Sequence, residues 1–174
     1  MVENRRKKSG AREFVETLAI ALVLAFLIRA FVFESFRVDG RSMQPTLFTN
    51  ERVLVNKLAF DLGKPKTGEI IVFQSPLIPS EDWIKRVIGV PGDTVSIRHN
   101  TVYINGKVYP EPFLKYRQSS NYGPVKVPPG HLFVLGDNRP ISEDSRYFGM
   151  LAESRVRGQA FVIWWPLNSL RWLP

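Results

Sequence analysis

Residues 14–33 read FVETLAIALVLAFLIRAFVF, an apolar run long enough to limit the architecture of everything after it. Twenty helical residues rise about 30 Å, the thickness of the hydrocarbon core of a bilayer. The wholly apolar part, Leu18 to Ile28, is shorter and alone would suit a buried core helix. Glu16 and Arg29, however, stand near the two ends, where long side chains reach the headgroups. No Gly or Pro interrupts the run, and no clear small-x-small site follows it to mark a cleaved leader. The pattern predicts a transmembrane helix over residues 14–34, a basic tail over 1–13 before it, and one domain over 35–174 after it. Arg5, Arg6, Lys7, Lys8 and Arg12 precede the span, against Arg37, Arg41 and Arg52 in the stretch that follows. Positive charge stays cytoplasmic, so the expected topology is single-pass with the N-terminus inside and the domain outside.

Beyond residue 35 the texture changes to short runs of β-branched and aromatic residues broken by Gly, Pro and Asn. Strands are predicted at 52–57, 69–74, 83–90, 94–98, 101–104, 107–109, 131–135 and 156–164. In TVYINGKVY, Asn105-Gly106 separates two alternating runs, a two-residue hairpin signal. Residues 110–130 are rich in Pro, Ser and Asn and read as a long surface excursion. The expected fold is mainly β, with antiparallel sheets forming a partly open, barrel-like domain.

Composition narrows the chemistry. With no cysteine, the chain has no disulfide, thiol nucleophile or cysteine metal site. A net charge of +8 suits nucleic acid or an anionic membrane surface, but the basic tail carries a local share of it. His99 and His131 have no partner at metal-ligand spacing, which argues against both a metal site and a Ser-His-Asp triad. The G-x-S-x-G elbow is missing, since Gly40-Arg41-Ser42-Met43 continues with Gln44. Lys66-Thr67-Gly68 has no accompanying S-x-x-K and reads as a turn.

A serine and a lysine remain in unusual settings. Ser42 lies in VDGRSMQPTL, where Gly40 and Pro45 make the backbone irregular and can hold a hydroxyl off the sheet. Lys85 lies in DWIKRVIGV, where alternation puts Trp83, Lys85 and Val87 on one face and Ile84, Arg86 and Ile88 on the other. At least one cation must then share a sheet face with large apolar groups. Desolvation disfavours a charged lysine, which is how its amine becomes a base near neutral pH. A lone loop serine and a strand lysine each have ordinary structural explanations, and their spacing means that only the fold can bring them together.

Taken in order, these motifs resemble the type I signal peptidases, or leader peptidases, over nearly the whole chain. The likeness runs from the N-terminal span through GRSMQPTL at 40–47, RVLVNKLAF at 52–60, PKTGEIIVF at 65–73, IKRVIGVPGD at 84–93 and GDNRPISEDSRYFG at 136–149. The resemblance implies a bacterial plasma-membrane serine endopeptidase that removes signal peptides from exported preproteins after Ala-x-Ala sites. It implies Ser42 as nucleophile, Lys85 as general base, Ser142 as the hydroxyl that orients the Lys85 amine, and an Asp144–Arg146 ion pair shaping the site. It aligns Phe36, Val38, Met43, Leu47 and Asp82, Trp83 and Ile84 with walls of pockets for small residues. Preproteins and membrane lipids are the implied partners; no cofactor, metal or nucleic acid is implied. One departure is Gly40, where Gram-negative members carry a hydroxyl that helps form the oxyanion hole, so the hole falls to the Ser42 amide and a further amide or water. Trp164, Trp165 and Trp172 either pack the core or face the bilayer. Two rival classes remain: a membrane-tethered, non-catalytic domain binding exported peptides by strand addition, and a self-cleaving regulator with a Ser-Lys pair. The second needs an N-terminal DNA-binding motif, where residues 1–35 offer an apolar span.

Overall fold

The computed structural model describes residues 10–61, 63–116 and 119–174, with the side chains of residues 27 and 30 outside the description. Helix α1 covers Gly10–Phe31, with Glu13 in its first turn and Arg29 in its last, each complementing the helix dipole. Its Phe14, Leu18, Leu22, Phe26 and Phe31 side chains are all exposed, so the helix has no protein core of its own. Among the described residues no helix is long and apolar enough to cross a membrane. The helix also stops short of the expected residue 34: Phe33 and Glu34 already lie in the first strand. Of the expected basic tail, residues 1–9 lie outside the described residues, and Gly10 to Glu13 form the first turn of α1.

The rest is mainly antiparallel sheet. In chain order the strands are β1 Phe33–Arg37, β2 Arg52–Asn56, β3 Ile70–Gln74, β4 Asp82–Gly89, β5 Thr94–Arg98 and β6 Thr101–Ile104, then β7 Lys107–Val108, β8 Tyr122–Lys126 and β9 His131–Leu135. A short helix α2 (Ser145–Phe148) precedes β10 (Leu151–Ala152), β11 (Val156–Trp165) and β12 (Arg171–Trp172). The larger sheet has the order β1-β2-β11-β3-β4-β9-β10, with β12 beside β11; the smaller has the order β7-β6-β5-β8. Neither closes on itself, so the expected barrel-like form reduces to two open antiparallel sheets.

Period-two alternation on the central strands divides the core. Ile70 and Val72 of β3 pack with Val53, Val55 and Ile163, whereas Ile71 and Phe73 point to the other face with Leu132 and Val134 of β9. Phe133 and Leu135 of the same β9 join Val95, Ile97 and Val102 of the smaller sheet. Central strands buried on both faces read as continuous apolar runs, which is why IIVF and LFVL stand out in the sequence. The predicted hairpin forms as expected, with Asn105 and Gly106 at φ 53° and 78° between paired Ile104 and Lys107. Strand β8 lies inside the stretch expected to be a loop. It contains Gly123 and Pro124, which mask its β-character, and is held by pairing with β5.

Candidate active site

The loop between β1 and β2 carries Ser42. Its base is closed by Val38 N–H donating to Glu51 O (2.8 Å) and Asn50 N–H to Val38 O (2.9 Å). Gly40 adopts φ 88°, a left-handed conformation that a side chain would strain, and its carbonyl accepts from the Thr49 hydroxyl. Past Ser42, Met43 and Leu47 sink completely into the core beside Val53 and Ile70, anchoring the loop from beneath. Ser42 itself stays half-buried.

Lys85 sits in the middle of β4, opposite Ile71 of β3, with 4% of its surface exposed. Its Nζ lies 3.0 Å from Ser42 Oγ, and it also donates to Ile84 O at 3.2 Å. Burial lowers its pKa from 10.5 to about 8, against the pull of the Asp144, Glu143 and Asp137 carboxylates, which favour the charged form. The next residue, Arg86, is buried as well (2% exposed), so both cations of this strand are desolvated, where the sequence required only one. Arg86 makes a fork with Asp137, Nε to Oδ1 at 2.9 Å and Nη2 to Oδ2 at 2.7 Å. It also donates to Gly68 O and lies 3.9 Å from the centre of the Phe113 ring.

Residues 136–146 clamp these two elements together. Asn138 N–H donates to Ser42 O (2.9 Å), and its side-chain amide donates to Arg41 O (3.1 Å). The Thr46 hydroxyl donates to Asp137 Oδ2, linking the far end of the nucleophile loop to the Arg86 pair. A Cβ on Gly136 would stand 2.2 Å from Ser142 Oγ and 2.6 Å from Ser42 O, so only glycine lets this segment approach the loop so closely. Asp144 and Arg146 form the expected ion pair, buried and two-pronged, with Nε–Oδ1 at 2.8 Å and Nη2–Oδ2 at 2.9 Å. Asp144 also accepts from Gly136 N–H, and Arg146 donates to the carbonyls of Arg139 and Ser142. Ser142 is buried here, but its Oγ has no hydrogen-bond partner, so the expected bond to the Lys85 amine is not made.

A cleft of about 350 Å³ opens over Ser42 and Lys85. Of the residues expected to wall it, Phe36, Val38, Asp82, Trp83 and Ile84 do so; Met43 and Leu47 do not, because they are core anchors facing away. The sequence reading missed Val53, Val72, Ile141 and Glu143 as lining residues, along with Arg37, Asp39 and Arg41 of the nucleophile loop and its approach. Val53 and Val72 sit in runs whose alternation showed one apolar face. The missing information was which loop that face would meet. Asp137 and Arg86 were missed as partners, although both lie in the quoted motifs.

A serine hydroxyl hydrogen-bonded to a desolvated lysine in an open cleft of an antiparallel β-fold is the arrangement of a Ser–Lys hydrolase. Comparison with known proteins agrees: residues 11–165 match the family described as "Signal peptidase, peptidase S26", and the chain belongs to that family. It is 41% identical to signal peptidase I of Bacillus licheniformis, over 97% of this chain and 96% of that one. It is 39% identical to signal peptidase I T of Bacillus subtilis (strain 168), over 96% and 92%. A probable signal peptidase I-2 of Synechocystis is 40% identical, over 89% of this chain and 73% of its own. The crystal structure of a signal peptidase I from Enterococcus faecalis V583 superposes with TM-score 0.51 at 39% identity, covering 56% of this chain and 97% of that one.

Proposed function

We propose that this chain is a membrane-bound serine endopeptidase that removes signal peptides from exported preproteins, with Ser42 as nucleophile and Lys85 as general base. The single observation that carries the residue assignment is the 3.0 Å contact between Lys85 Nζ and Ser42 Oγ; the peptidase activity itself follows from family membership over nearly the whole chain. Neutral Lys85 takes the proton of Ser42 as Oγ attacks the carbonyl carbon of the residue before the cut. The same proton passes to the leaving amine as the peptide bond breaks and an ester to Ser42 remains. Lys85 then deprotonates a water that attacks the ester, releasing the acid and restoring the serine. Oxyanion stabilisation falls to the Ser42 amide, since Gly40 brings no hydroxyl.

Phe36, Val38 and Ile84 give the cleft apolar walls whose bulk leaves room for small side chains before the cut, which supports an Ala-x-Ala preference. Asp144 and Arg146 act as positioning residues, fixing the 136–146 segment against the nucleophile loop. Ser142 is the candidate for orienting the amine, because its hydroxyl is buried in this segment with its bonding capacity unspent. We read α1, with its uncovered apolar surface, as the single membrane anchor of a bacterial plasma-membrane protein whose N-terminus is cytoplasmic. In that reading residues 35–174 act outside. The strand-addition alternative is not favoured, because it gives no reason to bury a lysine against a serine.

The test is cleavage of a preprotein with an Ala-x-Ala site by the purified full chain in detergent. Wild type should cut after the second alanine, with Ser42→Ala and Lys85→Ala at least about 10³-fold slower. Equal cutting by all three would remove the mechanism.

A further inference from the structure

A second groove, of about 1110 Å³, lies between the last turns of α1 and the face of the larger sheet opposite the core. Val53 and Val55 of β2 point into the core, so Arg52 and Leu54 point the other way, into this groove. Ile163 and Trp164 of β11 divide in the same manner. The helix is held beside the sheet by a short junction: Val32 N–H donates to Ile28 O (2.8 Å) and Lys57 N–H to Val32 O (2.9 Å).

The lining is chemically two-sided. Ala25, Phe26 and Ile28 of the helix and Phe33, Leu54 and Trp164 of the sheet form an apolar floor. Arg29 from the helix and Arg52 and Lys57 from the sheet side bring three cations to it, against the one carboxylate of Glu34. The Trp164 indole is fixed by donating to Ser35 Oγ (3.0 Å), with the Arg52 guanidinium 5.9 Å from its ring centre. A free phosphate has no use for the apolar floor, and an apolar peptide segment has none for the cations. A glycerophospholipid with a net negative headgroup uses both.

We propose that this groove binds the headgroup phosphate and upper acyl chains of one anionic glycerophospholipid. The inference rests on the reading of α1 as a membrane anchor, which sets Arg29 at the level of the outer headgroups, where each basic residue attracts anionic lipid. Glu34 and Ser35 remain as hydrogen-bond partners for headgroup hydroxyls. The lipid would then fill the space between helix and sheet and hold the domain at a fixed angle to its anchor.

The experiment uses the full chain in nanodiscs of phosphatidylcholine with and without phosphatidylglycerol, followed by native mass spectrometry of the lipid retained in mild detergent. Wild type should keep phosphatidylglycerol in preference to phosphatidylcholine. Arg52→Gln should lower that retention roughly fivefold, and Arg29→Gln with Arg52→Gln further still. Turnover of a short soluble peptide should be unchanged in both variants, showing an intact fold and active site. Equal retention of the two lipids would overturn the proposal, as would full displacement by millimolar inorganic phosphate, which would mark a simple anion site. In lipid lacking phosphatidylglycerol, a KM for preprotein that Arg52→Gln still raises would also overturn it, assigning the groove to the substrate. Failure of the anchor reading shows separately, as extraction of the chain from vesicles by alkaline carbonate.

Discussion

Lys85 has to be both buried and basic, and the two demands have one cause. With its ammonium inside the protein, solvation of the charged form is lost and the pKa falls to about 8. At pH 7 about one lysine in ten is then neutral, where an unperturbed side chain would offer about one in a few thousand. The base must be neutral to act, so kcat/KM should rise with pH through about 8 and level above it. A pH–rate profile on a peptide substrate checks this, and a rise continuing towards 10.5 would mean that burial does not tune the amine. The same scale shows where residue-level reading fails. Alternation in WIKRVIG identified a cation facing apolar neighbours, but nothing in SMQPTL distinguishes a pocket wall from a core anchor. Met43 and Leu47 turned inward because the loop folds back over the sheet.

At the scale of elements, the segment from Gly136 to Arg146 decides whether the serine and lysine meet. It is tied to the nucleophile loop through Asn138 and Thr46, and to β4 through the Arg86–Asp137 fork. Both members of that fork are almost wholly buried, so removing one strands the other's charge away from water. Asp137→Ala should therefore cost about 3–5 kcal/mol of stability, with melting roughly 10 °C lower by calorimetry. Replacing both partners with leucine should recover a good part of the loss. A double variant no more stable than the single one would show that the fork is valued for its hydrogen bonds to Gly68 and Thr46, not for charge balance. The excursion before β8 belongs to the same construction: Glu111 pairs with buried Arg139, and Phe113 covers the Arg86 guanidinium. A segment that looked like surface loop proves to be part of the scaffold.

For the whole molecule, α1 and the C-terminal rim are the places where exposed apolar side chains follow one another most densely among the described residues. Trp172 is 77% exposed and Trp165 48%, with Leu167 and Leu170 beside them at 70% and 62%. Of the two expectations for these tryptophans, packing in the core does not hold for Trp165 and Trp172. Trp164 lies half-buried, tied to Ser35. Aromatic side chains with a polar edge suit the membrane interface, where such a rim would present the cleft to substrates arriving along the bilayer. In vesicles containing brominated lipid, the fluorescence of the full chain should be strongly quenched. Trp165→Phe with Trp172→Phe should remove the rim's share of that quenching, leaving the share of Trp164 in the lipid groove and little from Trp83. Unchanged quenching in the double variant would place the rim away from the lipid.

Whatever depends on local periodicity and local sterics is already written in the order of the residues. That order marked an N-terminal helix, the two-sided burial of IIVF and LFVL, the Asn105-Gly106 turn, and a lysine in apolar company. Ordered motifs along the chain carried the family. Tertiary structure alone decided what depends on separate strands meeting. Ser42 and Lys85 are 43 residues apart and come within hydrogen-bond distance because β3 and β4 pair in one register beneath a clamped loop. The same assembly left the Ser142 hydroxyl unpaired, sank Met43 and Leu47, gave Arg86 its carboxylate and set two open sheets where a partly open, barrel-like domain was expected. Side-chain direction along a strand is a property of its own residues; which group waits opposite is a property of the whole fold.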